Sequence, residues 1–455
     1  MGRRLHCWVL RALSVALPTA MALTLTPAPA QAATPVHLTG TTTNGAWVLD
    51  APAAFNGTLL VWSHGYTFTP VGAGNAPTDA VRDALLAQGY ALIGSSYAGG
   101  GAGWAVSAGV RAGIEAVSIA KDRLPGRVRT VYAWGNSLGG LITATLAQRR
   151  PDLVDGVAPL CGVLAGTNRN LDLALDVAVG VKTFFYPRLK LSSFRSLAQA
   201  QANFDSASAA ILARLADPDT QVATSGRVLG LAALVQASAR TKSASGASFA
   251  SAVAAATESL LTALSYATVG RFDIEARVGG NPSTNLGTDY RTRVTSAATE
   301  RLTAFGFGAD LLAAYAQTVQ SRGARVTAQP FARRAAARLG NPTGDLQDPT
   351  LTMHTVYDPL VIVANERVFS RRVAARGDSG KLVQLFIQPP AYTTAAPYGA
   401  GHCNFTGDQY VAVVTALDAW VVSGAKPSAA LLTSLFSAHP GALDLTYTPA
   451  LWPRR

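Results

Sequence analysis

The stretch Val131-Tyr132-Ala133-Trp134-Gly135-Asn136-Ser137-Leu138-Gly139-Gly140, running on into Leu141-Ile142-Thr143-Ala144, constrains this chain more than any other. An apolar, β-prone run meets a Gly-Asn-Ser-Leu-Gly corner and passes into a helix-prone run, the strand, sharp turn and helix that a nucleophile elbow requires. Gly135 and Gly139 flank Ser137 because so tight a turn brings backbone against backbone, where a Cβ at either place would clash. Ser137 is then held at the tip with its hydroxyl exposed. Leu138 opens the following helix, so its N–H has no intrahelical partner and can face a developing oxyanion. In a chain with 42 glycines the five-residue pattern alone could arise by chance. The strand before it and the helix after it favour chemistry.

Residues 1–32 read as a secretory signal peptide: Arg3, Arg4 and Arg11 make a positive start, Ala12 to Leu25 is mostly apolar, and Ala30-Gln31-Ala32 is a small-residue cleavage site. The expected mature protein is therefore secreted. Hydrophobic residues make up 49% of the sequence and charged ones 14%, which permits a sizeable core and argues against disorder. No second uninterrupted apolar run is long enough to span a membrane. The formal charge is +12, but the basic residues are nearly all arginine, scattered along the chain, with no cluster interleaved with aromatics. The excess reads as composition, and no nucleic-acid partner is expected.

From Pro35 onward short β-type runs, Val36 to Thr43, Ala46 to Ala51 and Thr58 to Trp62, are separated by Asn-Gly and Pro-containing turns. The third ends in Ser63-His64-Gly65-Tyr66, where the Tyr66 N–H is placed to supply a second oxyanion donor. His64 reads as a structural histidine braced against that loop. A helix over 78–88, a strand over 90–95, a helix over about 104–124, the elbow and a strand over 156–160 then alternate, which implies a parallel sheet covered on both faces. The glycine cluster 99–103 has neither a P-loop lysine nor a dinucleotide fingerprint after it. Residues 162–348 change character: Ala-rich helical segments (193–216, 221–240, 249–267 and 309–321), no strand alternation and no repeat. They read as a large helical cap inserted after the sixth strand, whose Phe184, Phe185, Tyr186 and Phe194 either line an acyl or aromatic pocket or pack the cap's own core. The alternation resumes with a strand over 351–356, a helix over 361–375, a strand over 381–388 and a final helix over 408–422. The expected domains are thus 1–32 signal, 33–161 first core part, 162–348 cap and 349–455 second core part.

A serine hydroxyl needs a base, and the base needs a group that fixes its tautomer. Of the six histidines, His6 falls in the signal, His37 precedes the sheet, His64 belongs to the oxyanion loop, His354 sits inside a strand and His439 lies in the tail. His402 remains, on a Gly-rich loop after the last strand. Asp358, just past the penultimate strand and held by Pro359, is the expected orienting acid, with Asp348 and Glu366 as fallbacks.

Gly135-Asn136-Ser137-Leu138-Gly139, His64-Gly65, Asp358 after a strand and Gly401-His402 near the end resemble the α/β-hydrolase superfamily in its order Ser, Asp, His. The resemblance implies a mostly parallel eight-stranded sheet and acyl transfer through an acyl-enzyme, with no cofactor. His402-Cys403 is also similar to secreted tannase and feruloyl esterase relatives, in which a cysteine beside the nucleophile bridges to one beside the histidine. Here Asn136 stands before the serine, so that particular bridge is absent. Cys161 and Cys403, both expected near the carboxyl edge of the sheet in an exported chain, suggest a disulfide instead; two buried free thiols are the alternative. No Cys/His cluster has zinc-ligand spacing, so no metal is expected. The expected function is hydrolysis of a small or polymeric carboxylic ester. A capped aminopeptidase using cap carboxylates such as Glu258, Asp273 and Glu275, or a non-catalytic binding protein on the same fold, are the alternatives.

Overall fold

The computed structural model describes residues 34–124, 126–236, 248–303, 305–389 and 398–453, so the signal expected over 1–32 lies outside the described residues. One eight-stranded sheet organises the chain: β1 (Val36–Thr42), β2 (Gly45–Ala51), β3 (Thr58–Ser63), β4 (Ala91–Ser95), β5 (Thr130–Asn136), β6 (Gly156–Leu160), β7 (Thr350–Thr355) and β8 (Leu382–Ile387). The spatial order is β1-β2-β4-β3-β5-β6-β7-β8. The first two strands pair antiparallel, β2 pairs antiparallel with β4, and every other pairing is parallel; His37, expected to precede the sheet, instead lies within β1 opposite Asp50. The order of β3 and β4 reverses along the sheet, so the carboxyl ends of β3 and β5 lie side by side, with Ser63 opposite Gly135.

The parallel strands bury both faces, as a period of two requires when helices cover each side. Leu59, Val61, Val131 and Ala133 face a core shared with the helices Val106–Arg123 and Leu138–Arg149. Leu60, Trp62, Tyr132 and Trp134 face a second core, closed by Asp79–Ala87, Gly407–Ser423 and Ala429–Leu435. The observed elements match the expected ones to within a few residues, with one informative shift. The helix expected from Val361 begins only at Ala364, because the Leu360 and Val361 N–H groups are already turned onto Asp358.

Between β6 and β7 the chain runs almost entirely as helix. Thr167–Phe184, Leu197–Ala216 and Gln221–Leu234 come first, and Phe249–Ser265 then continues through a π-helical turn, Tyr266–Gly270, into Arg271–Val278. Ser296–Thr303, Ala309–Arg322 and Pro330–Leu339 complete it. The helix expected over 221–240 ends at Leu234, and 237–240 lie outside the described residues. Phe249–Val278 has the length and composition to cross a membrane although polar residues interrupt it, and 61% of its most apolar 18 residues are buried within the protein. This region builds its own core from Leu175, Val179, Phe185, Leu231, Leu260 and Leu312. The turns at 279–285, directly after Arg271–Val278, meet that helix in a buried polar hub: Arg271, only 1% exposed, donates to Asn281, Ser283 and the Leu171 carbonyl.

Candidate active site

Ser137 sits where β5 gives way to its helix, with φ 57° and ψ −118°, a left-handed strain that few non-glycine residues adopt. The flanking glycines are required by distance. A Cβ on Gly139 would lie 2.0 Å from the Ser63 carbonyl oxygen, and one on Gly135 would lie 2.4 Å from the same atom. The turn is pinned further by the Ser137 N–H donating to the Leu160 carbonyl at 2.9 Å.

Asp358 and His402, 44 residues apart, converge on this serine. His402 Nε2 lies 2.8 Å from Ser137 Oγ, and its Nδ1 lies 2.7 Å from Asp358 Oδ2. Asp358 is completely buried. Its Oδ1 accepts from the Leu360 and Val361 N–H groups at 2.9 and 3.0 Å, and its Oδ2 accepts from Cys403 N–H at 3.2 Å. Burial alone would push this carboxyl up. The neighbouring His402, then His354 and the backbone donors, outweigh it and hold Asp358 below the ordinary carboxylate range.

The fallback acids are engaged elsewhere. Asp348 precedes β7, at the opposite end of that strand from Ser137, where burial and then Asp155 push its carboxyl up to about 6. Glu366 binds His354 at 3.2 Å and Thr352 Oγ1 at 2.7 Å. His354, fully buried, places its other ring nitrogen 2.7 Å from the Val361 carbonyl and 3.9 Å from Asp358 Oδ2. Desolvation alone would lower its pKa, but Glu366, then Asp358 and the Val361 carbonyl, raise it on balance. Nothing in the sequence around His354 signals this buried support.

Gly65 passes directly over the serine: a Cβ there would come within 3.4 Å of Ser137 Cβ. That brings the Tyr66 segment beside the elbow, with Leu138 at the helix start on the other side. Among the described residues neither N–H is engaged by a backbone acceptor. His64 is braced as expected, stacked on Tyr97 at 4.0 Å with Nδ1 2.8 Å from the Gly65 carbonyl, and burial lowers its pKa. The glycine cluster supplies shape to that brace: a Cβ on Gly101 would strike both the Ser96 carbonyl and the His64 ring.

Cys161 and Cys403 form a disulfide with their Cα atoms 5.5 Å apart, tying the end of β6 to the His402 loop. A narrow cavity opens from Ser137, lined by Tyr66, Leu138, Val163 and Leu360 from the sheet side and by Leu171, Val177, Tyr266 and Ile274 from the helical region. Tyr266 and Gly270 come from the π-helical turn, a distortion that re-aims side chains within a helix. Phe184, Phe185 and Tyr186 do not line this cavity. They pack on the helical region's own core, and Phe194 is buried under Lys190. Their apolar character suited both roles, and proximity in sequence to β6 did not decide between them.

Strand order, elbow, and acid and histidine beyond β7 and β8 make this the α/β-hydrolase fold. No family model matches the chain, and no curated protein matches it in sequence. Among solved structures it is similar to feruloyl esterase B from Aspergillus oryzae, at 17% identity over 86% of this chain and 81% of that one, with a TM-score of 0.45. It is also similar to the rice cell wall degrading esterase LipA from Xanthomonas oryzae, at 13% identity over 83% and 84%, with a TM-score of 0.34. A third is brefeldin A esterase, a bacterial homologue of human hormone sensitive lipase, at 14% identity over 92% and 81%, with a TM-score of 0.35. Likenesses at this level leave substrate and mechanism to be argued from the site itself.

Proposed function

We propose that the protein is a secreted serine hydrolase that cleaves carboxylic esters through an acyl-enzyme. One observation carries the reading: an unbroken hydrogen-bond chain from Asp358 through His402 to a strained Ser137, at 2.7 and 2.8 Å, facing an apolar cavity. Ser137 Oγ attacks the acyl carbon while His402 Nε2 takes its proton, and Asp358 holds the ring in the tautomer this needs. The Leu138 and Tyr66 N–H groups receive the oxyanion. His402 then returns the proton to the departing alcohol, and a water molecule, activated by the same nitrogen, releases the acid. The helical region over 162–348 acts as a cap that supplies the outer wall of the acyl pocket. The signal-like residues 1–32 and the disulfide support export.

The peptidase alternative needs a carboxylate facing the substrate amine, and among the described residues no acid lines the cavity at Ser137. Asp273 accepts from the Trp104 N–H and Arg277, Glu258 from the Tyr398 N–H, and Glu275 from the Ser193 N–H. The test is steady-state hydrolysis of p-nitrophenyl acetate, butyrate and palmitate beside aminoacyl p-nitroanilides. Ester turnover with butyrate ahead of palmitate, as a narrow pocket requires, and lost by about 10⁴-fold or more in Ser137→Ala, is the expected outcome. Turnover of anilides alone would move the reading to a peptidase. Failure of an active-site phosphonate to label Ser137 would leave a binding protein.

A further inference from the structure

The helix Thr167–Phe184 separates two unlike cavities. Asn170, Leu171, Ala174 and Val177 face the Ser137 pocket, whereas Arg169, Asp172 and Asp176 face a separate cavity of about 840 Å³ that includes Trp452 and the helix Ala364–Arg376 in its walls. Six arginines line this second cavity: Arg169, Arg293, Arg333, Arg367, Arg371 and Arg372. Two of them meet the acids present, Arg333 on Asp172 at 2.9 Å and Arg293 on Asp176 at 2.6 Å. Arg372 is spent on the carbonyls of Leu164, Ala165 and Pro342, which satisfy its N–H groups without neutralising its charge.

Arg169, Arg367 and Arg371 have no acidic partner among the described residues, and Arg367 Nε is buried without an acceptor there. Two of these placements are unfavourable on helix electrostatics alone. Arg169 lies in the first turn of Thr167–Phe184 and Arg367 in the first turn of Ala364–Arg376, where the macrodipole is already positive. Arg367 and Arg371 are like charges one turn apart on the same helix. Burial, and then the charge of Arg169, push Arg372 down to about 10. Uncompensated positive charge gathered from two helix starts into one concave surface is the arrangement that binds multivalent oxyanions.

We infer that this cavity is a binding site, distinct from the Ser137 pocket, for a small ligand carrying two or more phosphate or carboxylate groups, held by Arg169, Arg367 and Arg371 beside the positive charge of Arg372. The full chain, with Ser137 blocked by a phosphonate, is titrated calorimetrically with pyrophosphate, citrate and acetate at matched ionic strength. Saturable binding of pyrophosphate or citrate at least tenfold tighter than acetate is expected; which of the two binds tells phosphate from carboxylate. The Arg169→Ala/Arg371→Ala variant removes two exposed side chains, so the fold is retained, and it weakens binding at least tenfold. Arg111→Ala/Arg123→Ala, also exposed and outside the cavity, removes the same charge and leaves binding unchanged. The absence of saturable binding by either polyanion, or an equal loss in both double variants, overturns the inference.

Discussion

Two histidine–carboxylate pairs lie against each other at the carboxyl end of β7, and they differ in what the second ring nitrogen meets. His402 leans on Asp358 and offers Nε2 to a hydroxyl, a group that can both give and take a proton. His354 leans on Glu366 and places Nε2 on the Val361 carbonyl, which can only accept. With both ring nitrogens already engaged, His354 has none left to act as a base; Glu366, then Asp358 and the Val361 carbonyl, outweigh desolvation and raise its pKa. The His402 side chain is 23% exposed, whereas His354 and Glu366 are fully buried. Val361 joins the pairs, giving its carbonyl to His354 and its N–H to Asp358. On the proposed mechanism, the third partner decides whether a histidine–carboxylate contact moves a proton or serves as a strut.

The comparison breaks most sharply on the acids. Asp358→Asn leaves the shape of the site but supplies the wrong tautomer, and kcat for p-nitrophenyl butyrate should fall about 10⁴-fold. Glu366→Gln should keep kcat of the folded protein within about tenfold and instead cost about 3–5 kcal/mol in urea unfolding, the penalty for leaving a buried charge unpaired. Equal effects of the two substitutions on kcat would erase the distinction. A smaller loss, about 2–4 kcal/mol, is expected for the Cys161→Ser/Cys403→Ser variant, with the His402 loop loosened.

The smallest effect is one of pH, and the two pairs oppose each other in it. Asp358 is depressed in the folded state, so its stabilisation is present above the unfolded carboxylate value near ~3.9 and is lost as pH falls below it. His354 is raised, so its contribution is complete below its unfolded value of about 6.5 and fades as pH rises through the folded one. Stability measured from pH 6 to 9 should therefore decline in the wild type and flatten in His354→Gln. An unchanged slope would show that His354 is neutral in the folded protein.

The sheet and the Ser137 constellation were legible because their signals are local. Alternating apolar runs, a serine between glycines, and one histidine on a loop after the last strand each stand within a few residues of chain. What was missed depends on approach in space. Nothing near Val361 announces that its two backbone groups serve Asp358 and His354. Phe185 and Tyr266 are both aromatic residues on Ala-rich helices, yet only a π-helical turn brings Tyr266 to the pocket. The arginines, scattered in sequence and read as composition, gather in one cavity because Arg169 and Arg371 are carried there by different helices.

The bond between Cys161 and Cys403 spans 242 residues of chain. In biosynthetic terms, the first cysteine is made long before its partner, and β7, β8 and the whole helical region must be synthesised in between. Closure is then among the last covalent events of maturation and requires an oxidising compartment reached after most of the polypeptide exists. A host that keeps the chain in a reducing cytoplasm yields the same sequence without the tether on its histidine loop. The choice of expression compartment is therefore a variable of the experiment as much as any substitution.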